Sequence, residues 1–345
     1  MCTNFLVKTS QECQAGKLGF VNGRSMEFAE DLRSSPIIRG SNYKYEQNLS
    51  GREFGYTWIG KYGFVGMNAL ELPIAIDGIN SVGLATGALW LPGTKYQQIT
   101  DRAKGLSVDY FTEWVLSSFG TCDEVVDALK SDTVQVGFPN LLSTLLPLHF
   151  PVHDANGKSI VIEFIDGKIQ IHDNPVGVLT NDPPFDWHLQ NLRNYVGITP
   201  WDAGPVKLGD LAVEQTGHGS GFTLLPGSST PPSRFVRVTM MSNYSFAVPS
   251  LEDATTLAFH ILNTVDIPKG TARFLSKVGK ILSDYTQWLV VKDLSERIYS
   301  FKFYESQQLY TIKLDEIDFR GVDWKLLEIP HQPASINLIA DGLTQ

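Results

Sequence analysis

The sequence predicts an α+β protein whose antiparallel sheets are covered by helices. Strand-like runs come first, helical runs follow, and strands, helices and strands then return in blocks, without the strand–helix alternation of a parallel sheet. Hydrophobic residues make up 43% and charged residues 19% of the 345 residues, which is typical of a globular chain with a large core. We find no repeat and no linker, so we expect a single domain over residues 1–345.

The predicted strands are short β-rich runs separated by turn residues. In the N-terminal part they are "NFLVKT", "GKLGFVNGRSMEF", "YTWIGKYGFVGMN" and "GLATGALWL". Runs of this kind, broken by Gly and Asn, are typical of antiparallel hairpins. Farther along, "SIVIEFI" and "KIQIHD" flank the tight turn "DGK". The strands "QWLVVKD", "RIYSFKFYE" and "LYTIKLDEI" complete the prediction.

A helical stretch is predicted from about Leu106 to Lys130. Apolar residues recur there at helical spacing, and Gly120 ends the first helix. Thr121 and Glu124 then form a capping-box pattern that starts a second helix.

The C-terminal half contains two more predicted helices and one long loop. "DWHLQNLRNYVG" is a short helix, and Ser250 with Asp253 caps the helix "LEDATTLAFHILN". The stretch from Gly217 to Ser233 is rich in Gly, Ser and Pro. Because both of its flanks look ordered, we interpret it as a functional flap rather than a linker.

Charge and composition exclude several classes of partner. The formal net charge is −9, whereas nucleic-acid binders carry clustered Lys and Arg. No run of about 18 apolar residues and no charged-then-apolar leader is present, so we expect neither a membrane span nor a signal peptide in the chain as given. Cys2, Cys13 and Cys122 are too few and too scattered for a disulfide framework or a zinc site.

Three further motifs resemble known functional motifs, but their residues or spacing do not match them. "NGKS" lacks the glycine of a phosphate-binding loop, since Val152 stands in its place. "GHGSG" resembles a serine-hydrolase elbow, but His218 and Phe222 stand two residues before and after Ser220, where that motif has glycines. A Ser220–His218 hydrolase therefore stays only an alternative. His149 and His153 lack the helix of a metalloprotease, and we interpret them as structural.

Cys2 has two interpretations from its position alone. It can be a small buried residue on the first strand, since free Cys is often buried. It can also become the N-terminal residue, because aminopeptidases remove Met1 before a small residue. The free α-amine, with an ordinary pKa of about 7.7 to 8.0, would then stand beside the thiol, so that one residue supplies both base and nucleophile.

The order of several sequence blocks favours the second interpretation. "MCTNF" followed by "GRSMEF" resembles the start of the choloylglycine hydrolase family, N-terminal nucleophile hydrolases that include bile salt hydrolases and penicillin V acylases. "DGINSVGLATGALWLPG", "DNPVGVLTNDPPFDWHLQNLRNY", "PPSRFVRV" and "DYTQWLVVKDLSERIYSF" follow in the family's order. The resemblance implies a four-layer αββα sandwich that hydrolyses a linear, non-peptide amide through a cysteine thioester. It implies no metal or organic cofactor, a small-molecule amide substrate and a homotetramer.

The resemblance also implies catalytic roles for five residues. Cys2 would attack the amide carbonyl, and Arg24 would favour its thiolate. Glu27, where bile salt hydrolases have Asp, would hold the α-amine. Asn181 would donate to the oxyanion, and Arg234 would lie near the nucleophile. From the residues alone, a surface salt bridge is the alternative for Arg234, and Arg237 fits that alternative equally well.

Two aromatic residues refine the expected substrate. Trp90 stands where bile salt hydrolases have an asparagine whose backbone N–H completes the oxyanion hole, and Phe28 follows Glu27. Such aromatic walls resemble the penicillin V acylase branch of Gram-negative bacteria, which is also associated with acyl-homoserine lactone cleavage, and they suit an aromatic or fatty acyl group. We therefore expect penicillin V acylase activity, with bile salt hydrolysis and lactone acylase activity as alternatives.

The state of Met1 leaves one alternative of another class. While Met1 remains, the nitrogen of Cys2 is an amide without basicity, and such a protein would be a catalytically silent ligand-binding relative. The start at Met-Cys is consistent with a cytoplasmic enzyme trimmed by methionine aminopeptidase. Removal of a leader would expose the same cysteine in a periplasmic enzyme.

Overall fold

The computed structural model describes residues 1–14, 16–48, 51–138 and 146–329. Its first eleven strands are β1 (Cys2–Gln14), β2 (Lys17–Phe28), β3 (Pro36–Arg39), β4 (Lys44–Tyr45), β5 (Trp58–Ile59), β6 (Phe64–Asn68), β7 (Ala75–Asn80), β8 (Ala85–Gly87), β9 (Leu89–Trp90), β10 (Gly105–Ser107) and β11 (Gln135–Gly137). The others are β12 (Leu148–His153), β13 (Ser159–Ile165), β14 (Lys168–Asp173), β15 (Val178–Leu179), β16 (Val206–Leu208), β17 (Leu211–Val213), β18 (Ala272–Leu275), β19 (Ile281–Asp293), β20 (Ile298–Phe303), β21 (Ser306–Lys313) and β22 (Trp324–Leu326).

The helices are α1 (Phe111–Ser118), α2 (Cys122–Lys130), α3 (Phe185–Asn191), α4 (Pro231–Tyr244) and α5 (Leu251–Asn263). None of these described helices is long and apolar enough to cross a membrane.

Two large sheets dominate the structure. The first has the strand order β15-β1-β2-β19-β20-β21, with β18 also paired to β19. The second has the order β14-β13-β12-β8-β7-β6-β3-β22, with β9 also paired to β12. Every strand pair described within these two sheets is antiparallel, which confirms the predicted α+β class.

Helices cover the outer face of each sheet. Helices α4 and α5 pack on the first sheet, α4 against β1 and β15 and α5 against β1, β2 and β19. Helix α1 packs on β7 and β8 of the second sheet. One core unites both sheets with α4 and α5, and a second core lies beneath α1 and α2. The predicted sandwich of helices, sheet, sheet and helices is therefore confirmed.

Capping and turn residues in the sequence correctly predicted where several helices and strands begin or end. The side chain of Thr121 accepts from the backbone N–H of Glu124 at 3.2 Å and caps α2. Ser250 caps α5 in the same way, accepting from Asp253 at 3.1 Å. The turn between β13 and β14 places Gly167 at φ 76°, a left-handed conformation that glycine adopts without steric cost.

The predicted start of the helical stretch near Leu106 is wrong. Gly105–Ser107 forms strand β10, which pairs in parallel with β11. The backbone N–H of Ser107 donates to Oε1 of Gln47 at 2.6 Å. Helix α1 begins only at Phe111, after one 3₁₀ turn, because these long-range bonds hold the preceding backbone extended.

The prediction of one loop up to Ser233 is also wrong. Helix α4 begins at Pro231, and prolines suit the first turn of a helix because its first N–H groups have no partner within the helix. The sequence analysis missed this helix. Its buried face carries Arg234, Arg237 and Thr239, so the apolar periodicity that identifies a helix is interrupted.

Candidate active site

Cys2 lies at the start of β1 and is 3% exposed. Its backbone N–H donates to Oδ1 of Asn181 at 2.8 Å, and its carbonyl oxygen accepts from Nη1 of Arg234 at 2.5 Å. Its Sγ lies 3.6 Å from Sδ of Met26, the residue opposite it on β2. Cys2 is thus held from three sides, by groups from β2, from the segment after β15 and from α4.

Met1 is bound beside Glu27. The α-amine of Met1 donates to the carbonyl oxygen of Glu27 at 2.6 Å, and the N–H of Glu27 donates back to the carbonyl of Met1 at 2.9 Å. The nitrogen of Cys2 is accordingly a peptide amide. Cleavage of the Met1–Cys2 bond would turn that nitrogen into a free amine beside Asn181.

The carboxyl group of Glu27 is completely buried near the N-terminus. Oε1 accepts from Oγ1 of Thr286 at 3.0 Å. Burial raises the pKa of Glu27, although Arg234 and the α-amine of Met1 pull it the other way. The sequence predicted that Glu27 holds the nitrogen of Cys2. In this structure Asn181 accepts from that nitrogen, and the Glu27 carboxyl lies close enough to the Met1 amine to interact with it electrostatically.

Arg24 is buried between the sheets with its guanidinium fixed by three acceptors. Nη1 donates to Oδ1 of Asp77 at 2.9 Å and to the carbonyl of Ile76 at 2.8 Å, and Nη2 donates to the carbonyl of Ala88 at 2.6 Å. Burial by itself lowers the pKa of Arg24, but Asp77 and the Cys2 thiol raise it overall. The structure thus brings Arg24 and Cys2 together, as the sequence predicted.

Asn181 and Trp90 lie side by side next to Cys2. Nδ2 of Asn181 donates to the carbonyl of Trp90 at 2.7 Å, which leaves its second N–H available. Leu91 donates to Pro147 on the neighbouring strand, so the alternation of an antiparallel ladder turns the N–H and C=O of Trp90 toward Asn181. The backbone N–H of Trp90 and the side-chain amide of Asn181 thus lie on the same side of β9, next to Cys2.

Arg234 is fully buried, so the surface salt bridge considered for it is wrong. Besides the Cys2 carbonyl, Nη1 donates to Oγ1 of Thr3 at 2.6 Å, and Nη2 donates to Oδ1 of Asn181 at 2.8 Å. Arg237, on the same helix, donates to the carbonyl of Ser228 and is also mostly buried. The structure therefore distinguishes the two arginines, and only Arg234 bonds to Cys2.

Phe28 and Trp90 form an aromatic pair at the same end of the sandwich. Their ring centroids are 6.2 Å apart and tilted by 56°. Both are half-buried, and each adjoins a residue of the site, Phe28 following Glu27 and Trp90 touching Asn181. The two predicted substrate-binding residues are thus neighbours.

The Ser220–His218 alternative is not supported. Nδ1 of His218 bonds to Oδ2 of Asp202 at 2.7 Å, and the His218 side chain is 98% exposed. The hydroxyl of Ser220 donates to Gln215 at 2.5 Å. Serine and histidine thus each bond to another residue on an exposed segment, and this arrangement activates no nucleophile.

The two histidines of β12 are buried and hydrogen-bonded to other side chains. His149 is buried against Glu163, with 2.9 Å between Nδ1 and Oε1, and His153 is buried against Asn4, with 2.6 Å between Nε2 and Oδ1. Across the described ranges, no group of three or more His, Cys, Asp or Glu side chains is arranged to hold a metal ion.

Sequence reasoning missed several residues that support the site. Nε2 of His188 donates to the carbonyl of Asn181 at 2.9 Å, and burial lowers the pKa of this histidine to about 4, which keeps it neutral. Asp77 binds Arg24, and Thr286 binds Glu27. Short motifs do not reveal such residues, because each lies far along the chain from the residue it supports.

The chain is similar in sequence and in structure to known amide hydrolases. Residues 2–327 match the family described as linear amide C-N hydrolases, choloylglycine hydrolase family. The chain is 32% identical over 334 residues to a bile salt hydrolase/transferase of Clostridium perfringens, covering 94% of this chain and 96% of the relative. It is 30% identical over 325 residues to a penicillin V acylase of Pectobacterium atrosepticum, covering 87% and 78%. The crystal structure of a conjugated bile acid hydrolase mutant from Clostridium perfringens superposes with a TM-score of 0.79 at 30% identity, covering 98% of this chain and 99% of that one.

Proposed function

This chain belongs to the choloylglycine hydrolase family of linear amide C–N hydrolases, and from that premise we propose that it hydrolyses conjugated bile salts through Cys2. The convergence of Arg24, Asn181 and Arg234 on Cys2 supports this function most strongly. A cysteine buried only for packing needs no such set of polar partners.

The first half of the reaction makes a thioester. Once Met1 is removed, the α-amine of Cys2 takes the thiol proton and Sγ attacks the amide carbonyl carbon. The carbonyl oxygen becomes negative and accepts from the N–H of Trp90 and from Nδ2 of Asn181. The protonated α-amine then gives its proton to the leaving nitrogen, the C–N bond breaks, and the free amine departs.

The second half releases the acid. Water attacks the thioester carbonyl while the α-amine of Cys2 accepts its proton, and the same two donors stabilise the second oxyanion. The C–S bond breaks and the thiolate is restored beside Arg24. Glu27 and Arg234 hold the N-terminal residue in place through both halves, and no cofactor takes part.

The comparisons favour a bile salt over penicillin V as substrate. Similarity extends over 96% of the Clostridium perfringens bile salt hydrolase/transferase but over 78% of the Pectobacterium atrosepticum penicillin V acylase. A conjugated bile acid hydrolase of Lactobacillus acidophilus is matched over 96% of its length at 30% identity. The expectation of the penicillin V acylase branch is revised accordingly.

Penicillin V acylase activity is the second candidate, and one observation favours it. Trp90 and Phe28 form an aromatic pair at the site, and flat aromatic walls suit a phenoxyacetyl group. The same walls would also accept the fatty chain of an acyl-homoserine lactone.

The test combines intact mass with amine release. Purified protein is weighed, and release of glycine or taurine from conjugated bile salts is compared with release of amine from penicillin V and from an acyl-homoserine lactone. We expect a mass lacking one methionine and the highest kcat/KM on a bile salt. The variant Cys2→Ala is the control for contaminating amidases. Retained Met1 without turnover would support the silent ligand-binding alternative and overturn the proposal.

We also propose that the enzyme is a homotetramer. Residues 196–224 include the hairpin of β16 and β17 and carry exposed apolar side chains, among them Val196 at 84% and Trp201 at 78%. Exposed apolar surface of this extent is typical of protein interfaces. Light scattering after gel filtration should give four times the chain mass of 38.3 kDa. A mass of one chain at micromolar concentration would contradict the proposal.

A further inference from the structure

A buried cluster of charged groups lies between the two sheets behind Cys2. Asp77 extends from β7 of the second sheet, whereas Arg24, Lys292 and Tyr299 extend from β2, β19 and β20 of the first. All four side chains are completely buried. A cluster of this kind is costly in a sandwich core, because each ion loses its hydration.

We propose that Asp77, Lys292 and Tyr299 are positioning residues that aim Arg24 at the sulfur of Cys2 and set the positive charge behind it. This proposal rests on the proposed function in taking Cys2 as the nucleophile. It adds three residues that act through Arg24 and touch no substrate.

The geometry makes Asp77 the centre of the cluster. Its Oδ1 accepts from Nη1 of Arg24 at 2.9 Å and from Nζ of Lys292 at 2.6 Å. Its Oδ2 accepts from the hydroxyl of Tyr299 at 3.0 Å. Lys292 and Tyr299 are opposite one another on neighbouring strands, so both reach Asp77 from the same sheet. The carboxylate therefore cannot rotate without losing a partner.

The backbone is shaped to admit this cluster. A Cβ atom on Gly87, opposite Asp77 on β8, would lie 2.0 Å from Nη1 of Arg24 and 2.8 Å from Oδ1 of Asp77. Glycine is thus required at position 87, where the ion pair of Arg24 and Asp77 lies against β8. The carbonyls of Ile76 and Ala88 occupy further guanidinium N–H groups. Nε of Arg24 has no hydrogen-bond partner among the described residues, and the guanidinium interacts electrostatically with the Cys2 side chain.

The cluster holds one more positive than negative charge. Arg24 and Lys292 face one carboxylate, while burial raises the pKa of Tyr299 and keeps it neutral. His153 also faces Lys292, and its pKa is lowered to about 3 by burial and by that lysine. Burial lowers the pKa of Lys292 itself to about 8, with Arg24 acting in the same direction and Asp77 opposing. A negative charge formed on the Cys2 sulfur when it acts as nucleophile would balance the excess.

The test measures the reactivity of Cys2 against pH in three variants of the full chain. Iodoacetamide labelling at Cys2 is followed by peptide mass spectrometry, and kcat and KM are measured on the preferred amide. Lys292→Met removes the excess charge, so the pH midpoint of labelling should rise by about one unit. Asp77→Asn increases the excess, so the midpoint should fall. Tyr299→Phe keeps the charge, so the midpoint should stay while kcat falls severalfold at unchanged KM.

Controls separate charge from packing. Lys292→Arg should restore the wild-type midpoint, and Lys8→Met, which removes an exposed lysine from β1, should leave it unchanged. Midpoints that stay at the wild-type value in both Lys292→Met and Asp77→Asn, or that move in the same direction, would overturn the proposal. If Asp77→Asn does not fold, the contrast between Lys292→Met and Lys292→Arg decides. Labelling needs no substrate, so failure on every amide would refute the proposed function without affecting this test.

Discussion

Two buried arginine–carboxylate pairs lie in different surroundings, one beside Cys2 and one far from it. Arg24 and Asp77 are 2.9 Å apart between the sheets, and Arg39 and Glu113 are 3.0 Å apart in the core beneath α1. The chemistry of each pair is the same and their burial is similar. The first pair has a second cation, Lys292, on the same carboxylate oxygen.

The surroundings of the second pair differ in kind. Arg39 lies over the rings of Tyr43 and Tyr45 at 4.6 and 5.8 Å, and Glu113 also accepts from the backbone N–H of Ala75 at 3.0 Å. One cation balances one anion there. The balanced pair connects helix α1 to the sheet. The pair beside Cys2 has an excess positive charge, which would stabilise a negative charge on the Cys2 sulfur.

Replacement of Cys2 is expected to have the largest effect. Cys2→Ala should lower kcat/KM by about 10⁴-fold or more, because the nucleophile is lost. The melting temperature should change little, since Sγ contacts the side chain of Met26 and holds no element together. Cys122→Ala is the matched control, a buried cysteine in the second core, and it should lower stability while activity persists. Turnover that survives in Cys2→Ala would refute the catalytic assignment.

Glu113→Gln should destabilise the fold without changing the chemistry at Cys2. It leaves Arg39 buried without a counter-charge, and we expect a loss of about 3 kcal/mol in the free energy of unfolding, measured by urea denaturation. The pH midpoint of Cys2 labelling should be unchanged, in contrast to Asp77→Asn. A shift of that midpoint in Glu113→Gln would contradict the view that only the Arg24–Asp77 pair acts on Cys2.

Asn181→Ala tests the oxyanion donors. We expect kcat to fall by about 10²-fold to 10³-fold with little change in KM, because the donor acts on charge that develops in the transition state. Steady-state kinetics on the preferred amide measures both constants. Asn174→Ala serves as control, since Asn174 bonds to the carbonyl of Val178 away from Cys2. Equal losses of kcat in the two variants would indicate a packing effect.

Trp90→Asn should change substrate preference rather than remove activity. The backbone N–H survives the substitution, whereas the aromatic pair with Phe28 is lost. We expect the ratio of kcat/KM for a bile salt to that for penicillin V to rise about tenfold. Trp187→Asn, at a tryptophan that is 42% exposed, should leave the ratio unchanged. An unchanged ratio in Trp90→Asn would exclude the pair as a specificity element.

The last expected effect is acid destabilisation from two buried histidines, His153 and His188. The pKa is lowered to about 3 for His153 and to about 4 for His188, in both cases chiefly by burial. Between these values and the ordinary 6.5, the unfolded chain binds more protons, so stability falls as pH falls. Each group contributes up to about 1.4 kcal/mol per pH unit.

Urea denaturation from pH 7 to pH 4 measures this slope. His153→Gln should flatten it, and His260→Gln, at an exposed position of α5, should not. An unchanged slope in His153→Gln would show that this histidine is not kept neutral in the folded protein.

The sequence by itself determined the features that depend on neighbours along the chain. The caps at Thr121 and Ser250, the β13–β14 turn and the α+β class follow from local patterns, because the interacting groups are a few residues apart. Cys2 behind Met1 and the ordered family blocks likewise predicted a hydrolase of this family, which the comparisons show.

Only the tertiary structure decided how the candidate site is assembled. It selects Arg234 over Arg237, and it places Asn181, not Glu27, against the nitrogen of Cys2. It also buries Lys292, which lies near the end of β19. The physical reason is distance along the chain. Arg234 and Cys2 are 232 residues apart and Lys292 and Asp77 are 215 apart, so their contacts exist only once both sheets and α4 have packed together.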